Sequence, residues 1–260
     1  MTQGFWVILS TEIFSLFISP ATYVSTFYFL ALLGVGFRFF IESFPATNWI
    51  LPPLSSLALG LLFGAPALIP FLTMRTIAEE RRLGTLETLM TAPVDAVSII
   101  AGKWSASYFF YLLICCGAYS YPLLVCIIFP GQAESLGFLK PEHRIGGFVF
   151  LMSIGASFCA FGIFSSSLTR NQMVAGMLSF SLITLYLAIM AFSYGEPTKI
   201  DEFRSYDDLF AMVGGSLHRG LDKIQFFALG VLHIPTILHQ LIVVFFFLSL
   251  AKLQVEKIRH

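Results

Sequence analysis

Charge is what this 260-residue chain has least of. Lys+Arg and Asp+Glu number 15 each, 12% of the residues together, about half of the ~25% usual in a soluble domain. The formal net charge is zero, which removes the basic footprint that nucleic-acid binding needs. Cysteine is also scarce. The four, Cys115, Cys116, Cys126 and Cys159, lie in apolar runs without CxxC or Cys/His spacing, so a disulfide scaffold and a sequence-evident metal site are excluded and they read as small buried hydrophobes. No Lys or Arg precedes Arg38. The N-terminus therefore lacks the basic n-region of a cleavable signal, and its apolar stretch is too long for one. Internal repeats, low-complexity tracts and interdomain linkers are absent, so residues 1–260 read as a single domain.

What is present is apolar. Hydrophobic residues make up 57% of the chain, with 29 Phe, and the mean hydropathy is +0.83. An all-α, multi-pass membrane protein follows, because a bilayer core takes about 20 apolar residues per helix. Six spans are expected at 17–37, 54–74, 104–129, 145–168, 173–192 and 234–250, and an even number puts both termini on one side. Before the first span, residues 2–19 form an apolar, aromatic stretch around one acid, Glu12. It reads as an interfacial helix that turns inward at Ser19-Pro20. Pro66 and Pro70 are expected to kink the second span. Residues 194–233 begin polar and then carry two apolar patches too short to cross, which suits a pair of re-entrant or interfacial helices.

Orientation is only weakly marked. With the termini and the 75–103 loop inside, eight cations are internal (Arg75, Arg81, Arg82, Lys103, Arg170, Lys252, Lys257, Arg259) and seven external (Arg38, Lys140, Arg144, Lys199, Arg204, Arg219, Lys223). The spans themselves are nearly bare of ionisable groups. His239 lies inside the last one and His233 near its outer end, where packing against hydroxyl partners is the expected role rather than a proton path. Hydroxyls on the third and fourth spans (Tyr108, Tyr111, Tyr119; Ser153, Ser157, Ser165, Ser166, Ser167) and the Gly60/Gly64 pair read as helix-packing features.

The stretch 72–93 carries most of the information. Arg75 and Glu79 are i,i+4 neighbours and Glu79 and Arg82 i,i+3, so charge laces one helical face. Gly84 supplies a left-handed stop. Thr85 then reads as an N-cap, with Glu87 in the first turn of a second piece. Leu86, Leu89 and Met90 share one face, Pro93 ends the piece, and Asp95 caps the entry to the third span. An apolar knob rimmed by Glu79, Glu80, Arg81 and Arg82, with Leu86 and Leu89 as its anchors, suits docking into a partner's groove. A solvated loop that only anchors topology fits the same pattern.

Beyond these local rules, the segment resembles the coupling region of type-2 ABC exporter permeases, the group with GldF-like (gliding-motility) and NosY-like (nitrous-oxide accessory) members. The matching residues are Thr73-Met74-Arg75, Ala78-Glu79-Glu80-Arg81, Gly84-Thr85, Glu87, Leu89 and Thr91-Ala92-Pro93-Val94. Further pieces in register are Gly102-Lys103, the 167–172 turn, Phe226 to Val231, and an elbow marked by Glu12, Pro20 and Tyr23. One departure is that the family's elbow usually carries Lys or Arg, whereas residues 2–36 have none.

The resemblance implies six spans, cytoplasmic termini, an elbow helix, a coupling helix and paired short helices before the last span. It also implies a bacterial inner-membrane location, a second permease copy or a related permease as dimer partner, contact with membrane lipids, and a separate ABC ATP-binding subunit on residues 75–93. The function expected is export, driven by that subunit, of a cargo that the sequence does not identify; spans with few charges suit an apolar or amphipathic one. ATP and Mg would belong to the partner, because Gly102-Lys103 is followed by Trp104 and preceded by Val97 where a P-loop needs Gly. The chain is accordingly expected to hold no cofactor, metal or catalytic residue. Two other readings stand beside this one. The first is a membrane anchor for an ATPase-linked machine such as a gliding apparatus. The second, a secondary transporter or channel, is disfavoured by bare spans and missing inverted repeats.

Overall fold

A computed structural model describes residues 2–43, 53–86, 95–128, 141–193 and 234–259, together with residues 89, 130 and 131. The described elements are helices: α1 (Thr2–Ile18), α2 (Pro20–Ser43), α3 (Pro53–Thr73), α4 (Ala78–Leu83), α5 (Ala96–Ile128), α6 (Pro141–Leu168), α7 (Gln172–Ser193) and α8 (Ile234–Arg259). Six of them, α2, α3, α5, α6, α7 and α8, are long and apolar enough to cross a membrane. These are the six expected spans, with the shorter apolar α1 before them. Glu87, Thr91 to Val94, Lys140, His233 and the re-entrant pair expected in 194–233 lie outside the described residues.

Local chemistry sets several boundaries. The Ser19 amide still donates to the Ser15 carbonyl and closes α1, while Ser19's own carbonyl accepts from Thr22 and opens α2. Pro20 stands first in α2, where a missing N–H costs nothing. Pro66 and Pro70 lie inside α3, which continues to Thr73. Four helices overrun their expected spans, α2 at its end and α6 at its start by a few residues, α5 and α8 by more. α5 opens at Ala96, directly after Asp95, whose carbonyl accepts from Ile99, and α8 runs to Arg259 rather than residue 250. Hydropathy marks where lipid begins, but backbone hydrogen bonding carries a helix beyond it.

Tertiary contact ranks the spans. α6 packs against α3, α5, α7 and α8. In α6 and α3, 72% and 61% of the apolar window is buried, against 17–28% in the other four spans, so these two are the inner helices. Gly60 and Gly64 do serve intrachain packing, since Cβ atoms there would meet Leu33 and Phe29 of α2. The main core joins α2, α3, α5, α6 and α7. A second, smaller core lies at one end of the bundle, where Ile77, Leu86, Ile100, Ile163, Ala251 and Val255 meet. The same end holds α4 and the α6–α7 turn, and these make it the charged end of the bundle.

Candidate functional site: the charged end of the bundle

At this end the chain leaves α3 through a four-residue turn and enters α4 at Ala78. The residue before α4 is Ile77, which has no capping side chain. The cap comes instead from α6. Ser166 Oγ accepts from the amides of Ile77 (3.1 Å) and Ala78 (3.0 Å) and donates to the Met74 carbonyl at 3.3 Å. One buried serine thus satisfies both sides of the turn. Thr76 Oγ1 donates to the Thr73 carbonyl at 2.7 Å and tightens the same turn. At the far end Gly84 adopts φ 73°, ψ 3° and stops α4 in the left-handed region, as the sequence predicts. The Thr85 hydroxyl donates to the Glu80 carbonyl at 3.4 Å, so it helps close α4 as well as leading the chain on to Leu86.

Lys103 is the centre of the site. Its side chain is 1% exposed, and its three ammonium protons have three acceptors. These are Glu12 of α1, Glu80 of α4 at 2.7 Å and the Thr76 carbonyl at 2.7 Å. Two carboxylates from separate helices therefore share one buried cation of a third. Burial is the largest influence on Glu80 and pushes its carboxyl up, while Lys103 pulls it down and Glu12 adds to the rise. Seating α1 this close requires Gly102, since a Cβ there would come within 2.9 Å of Ile8 and 3.5 Å of the Leu9 amide. This answers the missing elbow cations. The elbow is fastened by an acid of its own to a cation from α5.

The expected rim of four charges is divided by this arrangement. Glu80 and Arg81 turn inward, Glu80 to Lys103 and Arg81 to the Ser167 carbonyl. Glu79 and Arg82 stay outside and pair with each other at 3.6 Å. Arg75 reaches the Ser19 hydroxyl at 3.4 Å, and among the described residues it forms no ion pair with Glu79.

Leu86 requires a correction. It is 1% exposed and belongs to this chain's own second core, so it is not an anchor open to a partner. Its spacing with Leu89 reads as an apolar face, but periodicity does not say which molecule covers such a face. Leu89 is half-buried, whereas Leu83, next to the left-handed stop, is 62% exposed. In the elbow, Pro20 opens α2 and Tyr23 is exposed.

A second polar cluster lies within the spans. Ser157 of α6 donates to Gln240 Oε1 at 2.6 Å, and the Tyr186 hydroxyl of α7 donates to the same oxygen at 3.1 Å. Gln240 is buried. Neighbouring His239 is exposed and stacks on the Tyr186 ring at 6.5 Å. Sequence reasoning singled out His239 and missed Gln240, because a lone amide in an apolar run carries no motif. Lys103 left a faint signal, one lysine at the mouth of a span and one acid in an elbow without cations. Cys115 and Cys159 are buried as expected, while Cys116 is exposed.

The family model described as ABC-2 family transporter protein matches residues 5–207. That stretch takes in α1 from Phe5 onward and all of α2 to α7, and therefore all three partners of Lys103, whereas α8 lies beyond it. No curated protein matches the chain. With six spans, an elbow clamped to the third of them and a charged turn after the second, the chain belongs to the ABC-2 transporter family and is a transmembrane permease component of an ABC transporter.

Proposed function

We propose that the chain is one permease half of an ATP-driven exporter, paired with a second copy or a related permease. In this reading the charged end faces the cytoplasm, and a separate ATP-binding subunit, which holds ATP and Mg, docks on the outward face of residues 75–93. The observation that carries the reading is the way α4 is fastened. Ser166 holds its start, Lys103 ties it to α1 and α5, Arg81 ties it to α6, and Leu86 plugs the second core. Its opposite face, with Glu79, Arg82 and Leu83, is open. Force applied to that face reaches three helices at once through these contacts. A partner shifts the permease equilibrium only by its differential affinity for two states, and a rigid α4 converts a change of docking pose into such a difference. Spans almost free of charge suit an apolar or amphipathic cargo.

The test uses the complex purified with its natural ATP-binding subunit. Leu83→Asp combined with Arg82→Ala should reduce co-purification of that subunit, or uncouple its ATP hydrolysis, with the thermal unfolding of the permease unchanged. An intact complex with unaltered transport would leave the stretch as a topology anchor and remove this reading.

A further inference from the structure

Two arginines come together electrostatically at the α6–α7 turn, and among the described residues no acid pairs with either. Arg81 of α4 donates to the Ser167 carbonyl, and Arg170 stands three residues further along the same turn. The five ion pairs among the described residues involve Arg38, Arg82, Lys103 and Lys252, and neither Arg81 nor Arg170. The acids of α4 are already engaged, Glu79 by Arg82 and Glu80 by Lys103. Arg81 Nε also has no acceptor. Like charges gathered in this way are unfavourable unless an anion joins them.

The position of the pair indicates which anion. α6 ends at Leu168 and α7 begins at Gln172, so the two cations sit where spans emerge, at headgroup depth. Below Arg170, Met173, Met177 and Phe180 follow at i, i+4 and i+7 on one exposed flank of α7. A phosphate at the cations and hydrocarbon along that flank match a single amphipathic molecule.

We propose that Arg81 and Arg170 bind the phosphate of an anionic phospholipid whose acyl chains lie along Met173, Met177 and Phe180. Arg binds phosphate through two parallel N–H donors, and basic pockets between spans are established headgroup sites. Burial, and then the like charge of Arg170, lower the pKa of Arg81, a strain that a bound phosphate relieves. An acidic partner protein fits less well, because the apolar flank descends into the bilayer. A two-fold contact with another copy centred on this flank would bring two unneutralised arginine pairs to the same level. The inference goes beyond the proposed function and does not depend on cargo or on ATP coupling.

Arg170 makes no hydrogen bond or ion pair among the described residues, so its loss does not loosen α4, and it is the variant of choice. The complex, purified in neutral detergent, is mixed with phosphatidylglycerol or phosphatidylcholine, and retained lipid is read by native mass spectrometry. The wild-type chain should retain phosphatidylglycerol in preference. Arg170→Gln should lower that retention about fivefold, with phosphatidylcholine retention and unfolding temperature unchanged, and Arg170→Lys should recover part of it. Millimolar inorganic phosphate should not displace the lipid. Undiminished phosphatidylglycerol retention in Arg170→Gln overturns the proposal. Displacement by free phosphate does too, since the site is then for an anion alone. Disulfide formation between two copies of Met177→Cys in membranes would assign the flank to a second permease and end the lipid assignment.

Discussion

Lys103 is worth more by its absence than by its presence. A buried pair contributes little net stability against an apolar equivalent, but removing one partner strands the other, at about 3–5 kcal/mol. Lys103→Met leaves Glu12 and Glu80 half-buried beside each other with no cation, and it should lower the unfolding temperature sharply and free α1 for proteolysis. Adding Glu12→Gln and Glu80→Gln to Lys103→Met should restore much of the loss, because no charge is then stranded. A triple variant as unstable as the single would show that the lysine acts by its shape. In the spans the comparison falls between neighbours. His239→Gln should leave both stability and ATPase coupling near wild type, since the ring is exposed. Gln240→Leu removes the acceptor shared by Ser157 and Tyr186 and should cost about 1–2 kcal/mol. Thermal unfolding of the two variants side by side decides it, and a dead but folded His239→Gln would favour a proton path.

At the scale of the element, α4 is six residues long, too short to be stable alone, so what holds it is borrowed from elsewhere. Gly84→Val forces a branched side chain into φ 73° and should cost roughly 1–2 kcal/mol. Nothing lies within 4 Å of a Cβ at Gly84, so Gly84→Asn, which tolerates this conformation, should be milder. Leu86→Ala opens a cavity in the second core and should cost about 2–5 kcal/mol, read as a loss of folded protein rather than as selective release of the ATP-binding subunit. A Leu86→Ala chain that unfolds like wild type yet loses its partner would return Leu86 to the interface. Arg81→Ala is also expected to destabilise, unlike the substitution of an ordinary rim charge, because Arg81 ties α4 to α6.

For the whole molecule the prediction concerns direction across the membrane, with the charged end inside, the side that carries eight of the fifteen cations in this orientation. After replacement of the four native cysteines, Thr85→Cys and Arg38→Cys present thiols at exposed positions, Thr85 at the charged end and Arg38 near the other end of α2. An impermeant thiol reagent on intact cells should label Arg38→Cys and spare Thr85→Cys, and the opposite pattern would invert the protein.

Six spans, the break at Ser19-Pro20, the stop at Gly84 and the start after Asp95 were legible in the sequence, because each depends on residues within one helical turn or one apolar run. The clamp was not. Lys103 and Glu12 are 91 positions apart and Ile77 and Ser166 are 89 apart, and no local rule pairs a serine among many serines with an uncapped turn. The same limit explains Leu86, whose periodicity showed that it must be buried but not by whom. Hydropathy and dihedral preference are properties of a short stretch, so the sequence alone settled what crosses the membrane and where helices stop. Which charges face inward, which helix supplies a cap and which apolar faces remain open depend on how helices distant in sequence are placed beside one another, and only the tertiary structure decided them.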